Sequence, residues 1–168
     1  MTWMKGKERK TMRHDGKYPA AAGKILSVNT SPGKGQKKRS VGRCVLREEF
    51  GIQGDGHAGG GIRQVSLLAQ ESIDKIRAAG IDVGCGDFAE NITTQGIVLH
   101  ELDIGTRLLA GESVLLEVSQ IGKVCHTRCA IFHAVGDCVM PREGIFARVL
   151  IGGEVREGDD LRVVPWPE

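Results

Sequence analysis

Two thiols, an imidazole, a lysine and an arginine fall within eight residues in Gly122-Lys123-Val124-Cys125-His126-Thr127-Arg128-Cys129. Positive charge beside a cysteine favours thiolate over thiol, and the thiolate is the form that attacks electrophiles and binds soft metals. Cys125 and Cys129 are four residues apart, which on a helix sets both sulfurs on one face. With His133 and Cys138 they make a zinc site conceivable, although the spacing is not that of the common zinc motifs and no second Cys-x-x-Cys pair exists. The plainer alternative is a pair of buried, inert thiols. Cys44 and Cys85 read as ordinary small apolar residues.

Three other groups could carry chemistry. In Gly54-Asp55-Gly56-His57, glycines let the backbone approach a ligand, and Asp55 and His57 are placed to orient one another or that ligand. The bland reading is a glycine-rich loop whose aspartate bonds its own backbone. It is not a phosphate-binding P-loop, since no Gly-Lys-Ser/Thr follows and no helix opens there. Lys34, Lys37, Lys38 and Arg39 form either a solvated charge run or, at Lys34 or Lys38, a phosphate anchor. Arg63 opens a strand. Asn91 sits in an expected strand, where asparagine is disfavoured and, if buried, needs partners.

The elements that must position these groups are mostly strands. Residues 25–28, 42–46, 63–68, 87–94, 105–111, 113–119, 145–150 and 160–164 read as strands by alternation and by the turn residues between them. Residues 105–111 and 113–119 form a hairpin around Gly111-Glu112. One helix is expected over Gln70–Ala79, with Ile73 and Ile76 on one face and Gly80 as its stop. Short strands, 24 glycines in 168 residues and few aromatics predict a mostly β fold, a single β-barrel with one or two short α-helices. Residues 1–22, rich in Lys and Arg and without apolar periodicity, read as a basic disordered tail; 23–168 read as one domain.

Composition narrows the function class. A net charge of +2 gives no polyanionic partner, and nothing in the basic tail stacks on or reads bases, so no nucleic acid is expected. The longest apolar runs fall far short of the ~20 residues of a membrane helix, and the N-terminus lacks the apolar core of a signal peptide. Five cysteines are an odd number for a disulfide scaffold. The expectation is a cytoplasmic protein without a membrane segment. Oligomeric state is not encoded in any readable pattern.

Taken in order, Gly54-Asp55-Gly56-His57, Arg63-Gln64-Val65-Ser66-Leu67-Leu68, Phe88-Ala89-Glu90-Asn91-Ile92, Gly105-Thr106-Arg107-Leu108 and the cysteine segment resemble the MOSC domain. This is the C-terminal domain of molybdenum cofactor sulfurases, and it also occurs alone. The closing Gly136–Phe146 and Gly152–Val155 stretches are similar to short stand-alone bacterial members. The resemblance implies a β-barrel and a site for molybdenum cofactor (molybdopterin) or a sulfur group. In members of known chemistry one cysteine thiolate ligates molybdenum, and those enzymes reduce N-hydroxylated compounds with electrons from a redox partner.

Arg128-Cys129 fits the family's Arg-Cys position, which makes Cys129 the first choice for the molybdenum ligand and Cys125 the second. Thr127 then stands where the family has a small hydroxyl near the cofactor, and Asn91 matches an asparagine that touches the pterin. Ala89 departs from the arginine of some members, so phosphate anchoring would fall to Lys34, Lys38 or Arg63. No counterpart of the N-terminal barrel domain of the full-length reductases is apparent. The implied functions are therefore cofactor binding with small-oxidoreductase chemistry, or a cysteine-persulfide sulfur carrier in cofactor maturation. A non-catalytic or zinc-stabilised scaffold is the third. Expected partners are cofactor-biosynthesis proteins or a redox partner.

Overall fold

Alternation of apolar and polar residues dictates a curved sheet that closes on itself. The structure, a computed structural model, describes residues 21–123, 131, 136 and 138–165. In chain order its strands are β1 (Ala22–Thr30), β2 (Arg39–Ser40), β3 (Arg43–Arg47), β4 (Gly51–Ile52), β5 (Val65–Ala69), β6 (Ile92–Gln95), β7 (Arg107–Ala110), β8 (Val114–Ile121), β9 (Ile145–Ile151), β10 (Gly153–Arg156) and β11 (Asp160–Val164). Helix α1 spans Gln70–Ala78, a 3-10 turn covers Leu99–Glu101, and a short α2 spans Met140–Glu143.

Strands β11, β7, β8, β9, β5, β6 and β1 hydrogen-bond in that order, and β1 returns to β11 through Ala22↔Arg162 and Lys24↔Asp160, closing a barrel of seven strands. Closure removes the sheet edges. β2 adds onto β1, and β10, β3 and β4 form a separate small sheet. Every pairing is antiparallel except β5–β6. Parallel neighbours need a crossover, which residues 70–91 supply through α1.

That crossover explains why β5 is buried at all five positions. Val65, Leu67 and Ala69 point into the barrel core with Ile25, Ile92, Leu108, Leu116 and Ile145. Leu68 faces outward, under a second apolar layer made by Ile73, Ile76, Phe88, Ile131, Val139 and Phe146. Burying Ile73 and Ile76 contributes about 1.5–3 kcal/mol each, enough to hold a helix that has no side-chain N-cap. Gly80, at φ +90°, stops it by donating its N–H to Arg77 O.

The expected helix, the hairpin and most strands are present. The difference is at 87–94, where only Ile92–Gln95 is strand. Before it, Gly86 N–H donates to Glu90 Oε1 (2.5 Å) and Phe88 N–H to Oε2 (3.1 Å), so a side chain takes backbone donors that a ladder would have used. Residues 152–159, which lie between the expected strands 145–150 and 160–164, contain a further strand, β10, which pairs with β3 from Gly153↔Leu46 to Arg156↔Arg43. Residues 1–20 of the expected tail lie outside the described residues, and Ala22, assigned to that tail, is the first residue of β1. No helix among the described residues is long and apolar enough to cross a membrane.

Thr94, fully buried on β6, has a hydroxyl with no hydrogen-bond partner among the described residues. An unmade buried hydrogen bond costs about 1–3 kcal/mol. Thr94→Val is expected to raise stability by about 1 kcal/mol, seen as a Tm increase of about 2–4 °C in a calorimetric scan; a lower Tm would mean that the hydroxyl is satisfied.

Candidate functional site

Outside the barrel, beside the ends of β1, β5 and β6, three loops converge on one buried ion pair. The loop after β1 supplies Ser31, Lys34 and Lys38, the loop after β4 supplies Asp55 and His57, and the loop before β6 supplies Gly86 to Asn91. Lys38 Nζ lies 2.7 Å from Asp55 Oδ1, and both side chains are fully buried. The ammonium has three N–H donors, and three acceptors surround it: Asp55 Oδ1, Ser31 Oγ at 3.2 Å and His57 Nδ1 at 2.9 Å. Asp55 Oδ1 also accepts the Ser31 N–H (3.0 Å) and Oδ2 the His57 N–H (3.2 Å).

Glycine makes this convergence possible. Gly54, at φ +85°, completes the turn that presents Asp55, whose N–H bonds Ile52 O. A Cβ on Gly56 would come within 2.6 Å of Gly33 Cα, so the two loops touch backbone to backbone, joined by Gly56 N–H to Ser31 O (2.7 Å). A Cβ on Gly86 would overlap the Lys38 carbonyl, and Gly86 O accepts the Lys38 N–H.

The seam below the pair is also polar and satisfied. Asn91 Oδ1 accepts from Ser66 N–H and Ser66 Oγ, while its Nδ2 donates to Asn29 O (3.2 Å) and toward Asp55. Glu90, fully buried and in no ion pair among the described residues, accepts from Gly86, Phe88 and Thr93. Ala89 between them holds φ +60°, a left-handed conformation uncommon for a residue with a Cβ.

Burial pushes the Asp55 carboxyl up, but hydrogen bonds from Lys38, Ser31 and Asn91 and the Lys38 charge outweigh it and hold the group below its ordinary 3.8. Burial also lowers His57, and the charges of Lys38, Lys123 and Lys34 lower it further against the opposing Asp55. His57 is therefore a half-buried imidazole whose neutral form is favoured by burial and by the charges of three lysines. Burial raises Glu90 despite its three donors. Burial, with Asp55 and Glu154 nearby, pushes the Cys44 thiol up to about 12, which makes it inert, whereas Cys85 is exposed rather than packed.

The structure thus brings together Lys38, Asp55, His57 and Asn91, with the charge of exposed Lys34 acting on His57. Arg63 stands on the neighbouring rim, where its Nε donates to Gln120 Oε1 (2.9 Å) and its guanidinium lies 5.4 Å from the Phe146 ring. Cys125, Thr127, Cys129 and His133 lie outside the described residues. The chain on either side of them is fixed. Gly122 N–H donates to Gly144 O and Lys123 N–H to Pro141 O, and Ile131 and Cys138 belong to the outer apolar layer with Phe88. Glu143 ties α2 to α1 through Ser72 (2.9 Å) and Lys75 (2.8 Å). No metal-binding cluster occurs among the described residues.

A barrel with these loops on one flank has known relatives: the family model of the MOSC domain matches residues 54–162. The chain belongs to the MOSC domain family. The fold is similar to that of YuaD from Bacillus subtilis, at a TM-score of 0.73 and 17% identity over 88% of this chain and 98% of that one. YiiM from Geobacillus stearothermophilus gives a TM-score of 0.63 at 22% identity, over 85% and 75% of the two chains. YiiM from Escherichia coli gives 0.57 at 20%, over 89% and 71%. No curated protein matches the chain.

Sequence reading of this MOSC domain missed Ser31, Ser66, Glu90 and the role of Lys123. Ser66 left one signal, a hydroxyl within the otherwise apolar Val65–Ala69 run.

Removing one partner of a buried pair strands the other charge, at about 3–5 kcal/mol. Lys38→Met is expected to destabilise the MOSC domain by that amount in urea unfolding, and Lys38→Met/Asp55→Asn to recover at least half of it. Because the Asp55 pKa is depressed in the folded state, its contribution is present above the ordinary value of 3.8 and lost as pH falls through the lower folded value. Glu90 acts in the opposite sense: its share is present below 4.5 and lost as pH rises through its raised value. Unfolding of Asp55→Asn followed across pH 2–5 (a window of about three units around these values) should show a flatter acid limb than the parent; an unchanged slope would remove Asp55 as its source.

Proposed function

We propose that this MOSC domain binds the molybdenum cofactor against the outer face of the barrel, with the Cys129 thiolate as molybdenum ligand and Cys125 beside it in support. The observation that carries the reading is the charge around His57. Lys34, Lys38 and Lys123 all act on one half-buried imidazole, and Lys123 directly precedes the segment that leads to Cys125 and Cys129. Exposed Lys34 and half-buried Lys123 beside a polar, hydrogen-bonded ion pair fit an anionic phosphate, and thiolates two and six residues downstream of Lys123 fit a soft metal.

The roles divide by geometry. Exposed Lys34 and half-buried Lys123 are the cations that act on His57, and Arg63 is a third, beside Gln120, which also holds Gly122 O. Lys38 is spent on Asp55, Ser31 and His57, and so reaches a ligand through His57 rather than directly. Asp55 fixes Lys38. Asn91 braces β1, β5 and the Asp55 loop beneath the pterin, and Thr127 supplies a hydroxyl near the metal. When bound, the cofactor supplies two-electron redox chemistry at molybdenum; the protein positions it and exchanges electrons or cofactor with a redox partner or a cofactor-biosynthesis protein.

Protein purified from a molybdenum-replete host is expected to carry molybdenum and pterin in equal amounts by elemental analysis and pterin fluorescence. Cys129→Ser should lose the metal. Lys34→Glu/Lys123→Glu should weaken pterin retention about tenfold, equivalent to about 1.4 kcal/mol. Cofactor content unchanged by Cys129→Ser, or its absence from the parent protein, would reject the assignment.

A further inference from the structure

An ammonium group donates hydrogen bonds and accepts none. Lys38 Nζ sits 2.9 Å from His57 Nδ1, so Nδ1 must present its lone pair, and the ring proton of the neutral imidazole must reside on Nε2. The Lys38 side chain is fully buried, whereas His57 is half-buried, which leaves Nε2 on the ring edge turned away from the buried pair. Nε2 has no hydrogen-bond partner among the described residues. Its surroundings are cationic: the charges of Lys34 and Lys123 act on the ring, and Asp55, whose charge opposes them, is already engaged by Lys38, Ser31 and the His57 backbone.

We infer that the buried Lys38–Asp55 pair fixes His57 as the Nε2–H tautomer, so that His57 is a hydrogen-bond donor to an oxygen of an anionic ligand, of the phosphate-monoester class, attracted by the charges of Lys34 and Lys123. Lys38 and Asp55 are positioning residues in this arrangement. They set which nitrogen carries the proton and touch no ligand. His57 is then a donor of fixed direction, and it does not serve as a base at this site: its one lone pair is occupied by Lys38. Fixed direction is what the two lysines cannot provide, because an ammonium on a four-carbon stem is a point charge with little geometric preference. The inference deepens the anion-binding part of the proposed function and rests on it for the class of ligand, but not on molybdenum.

The test uses the full chain with ¹⁵N-labelled histidine. Long-range ¹H–¹⁵N correlation near neutral pH should show His57 with a protonated Nε2 and an unprotonated Nδ1, and titration with inorganic phosphate should move the Nε2 resonance. His57→Gln, whose amide N–H falls near the position of Nε2–H, should keep phosphate affinity within about threefold. His57→Asn, whose amide mimics Nδ1–H, should lose about tenfold, the worth of one hydrogen bond to a charged group. Protonated Nδ1, an Nε2 resonance indifferent to phosphate, or equal affinities for the two variants would each overturn the inference. An Nε2–H tautomer that responds to phosphate, in a protein that acquires no molybdenum, would leave it standing while removing the cofactor reading; retained cofactor with a protonated Nδ1 would do the reverse.

Discussion

A lysine and an aspartate with no exposed side-chain surface set the terms for the functional flank of this barrel. Each charge alone would be costly in that position, so neither loop can settle without the other. The pair is therefore a condition on the geometry of two chain segments before it is a source of stability. The close approach of Gly33 to Gly56 and of Gly86 to the Lys38 carbonyl follows from it: side chains at those points would hold the loops apart and break the pair. Ser31, Asn91 and the His57 backbone then complete the hydrogen bonding of a carboxylate that water cannot reach.

The barrel contributes by leaving one flank to be built upon. Because β5 and β6 are parallel, the chain must leave the barrel wall and come back, and the return path delivers α1, the Gly84–Asn91 loop and the outer apolar layer. β5 consequently serves two interiors. Its inward residues fill the barrel, Leu68 anchors the outer layer, and Ser66 bonds Asn91 at the site. The same outer layer takes Ile131 and Cys138, so the chain flanking the cysteine segment is tied to the face that carries the ion pair.

Sequence periodicity revealed what depends on burial alone. β8, β9 and α1 show their faces in the spacing of Leu, Val and Ile, and the barrel follows from the number of such strands. It did not reveal that Asp87–Asn91 leaves the strand, because the deciding contacts are made by the Glu90 carboxylate with its own neighbours' N–H groups, and glutamate in a mixed segment carries no such signal. β2 and β4, at two residues each, are too short to show a period. At the site, residue type exposed Asp55, His57, Lys38 and Asn91 as candidates one at a time. Their meeting was not legible, since Lys38 and Asp55 are joined across 17 positions by loops whose close approach is set in three dimensions. Lys38 therefore reads like its neighbours Lys34 and Lys37, although it alone of the three is buried.

That difference among three similar lysines organises the electrostatics. Lys38 is neutralised at contact distance by Asp55, so the field it sends outward is largely that of a dipole, while Lys34 and Lys123 act as net charges. Charges exposed to solvent are screened over about 8–10 Å at physiological salt, whereas a directed hydrogen bond from a half-buried ring is affected far less. The proposed site consequently combines a salt-sensitive attraction, which would draw an anion in, with a salt-insensitive donor that would favour one orientation of it. Moving the buried lysine to the surface would add attraction and remove direction, because among the described residues Lys38 alone bonds the His57 Nδ1 lone pair.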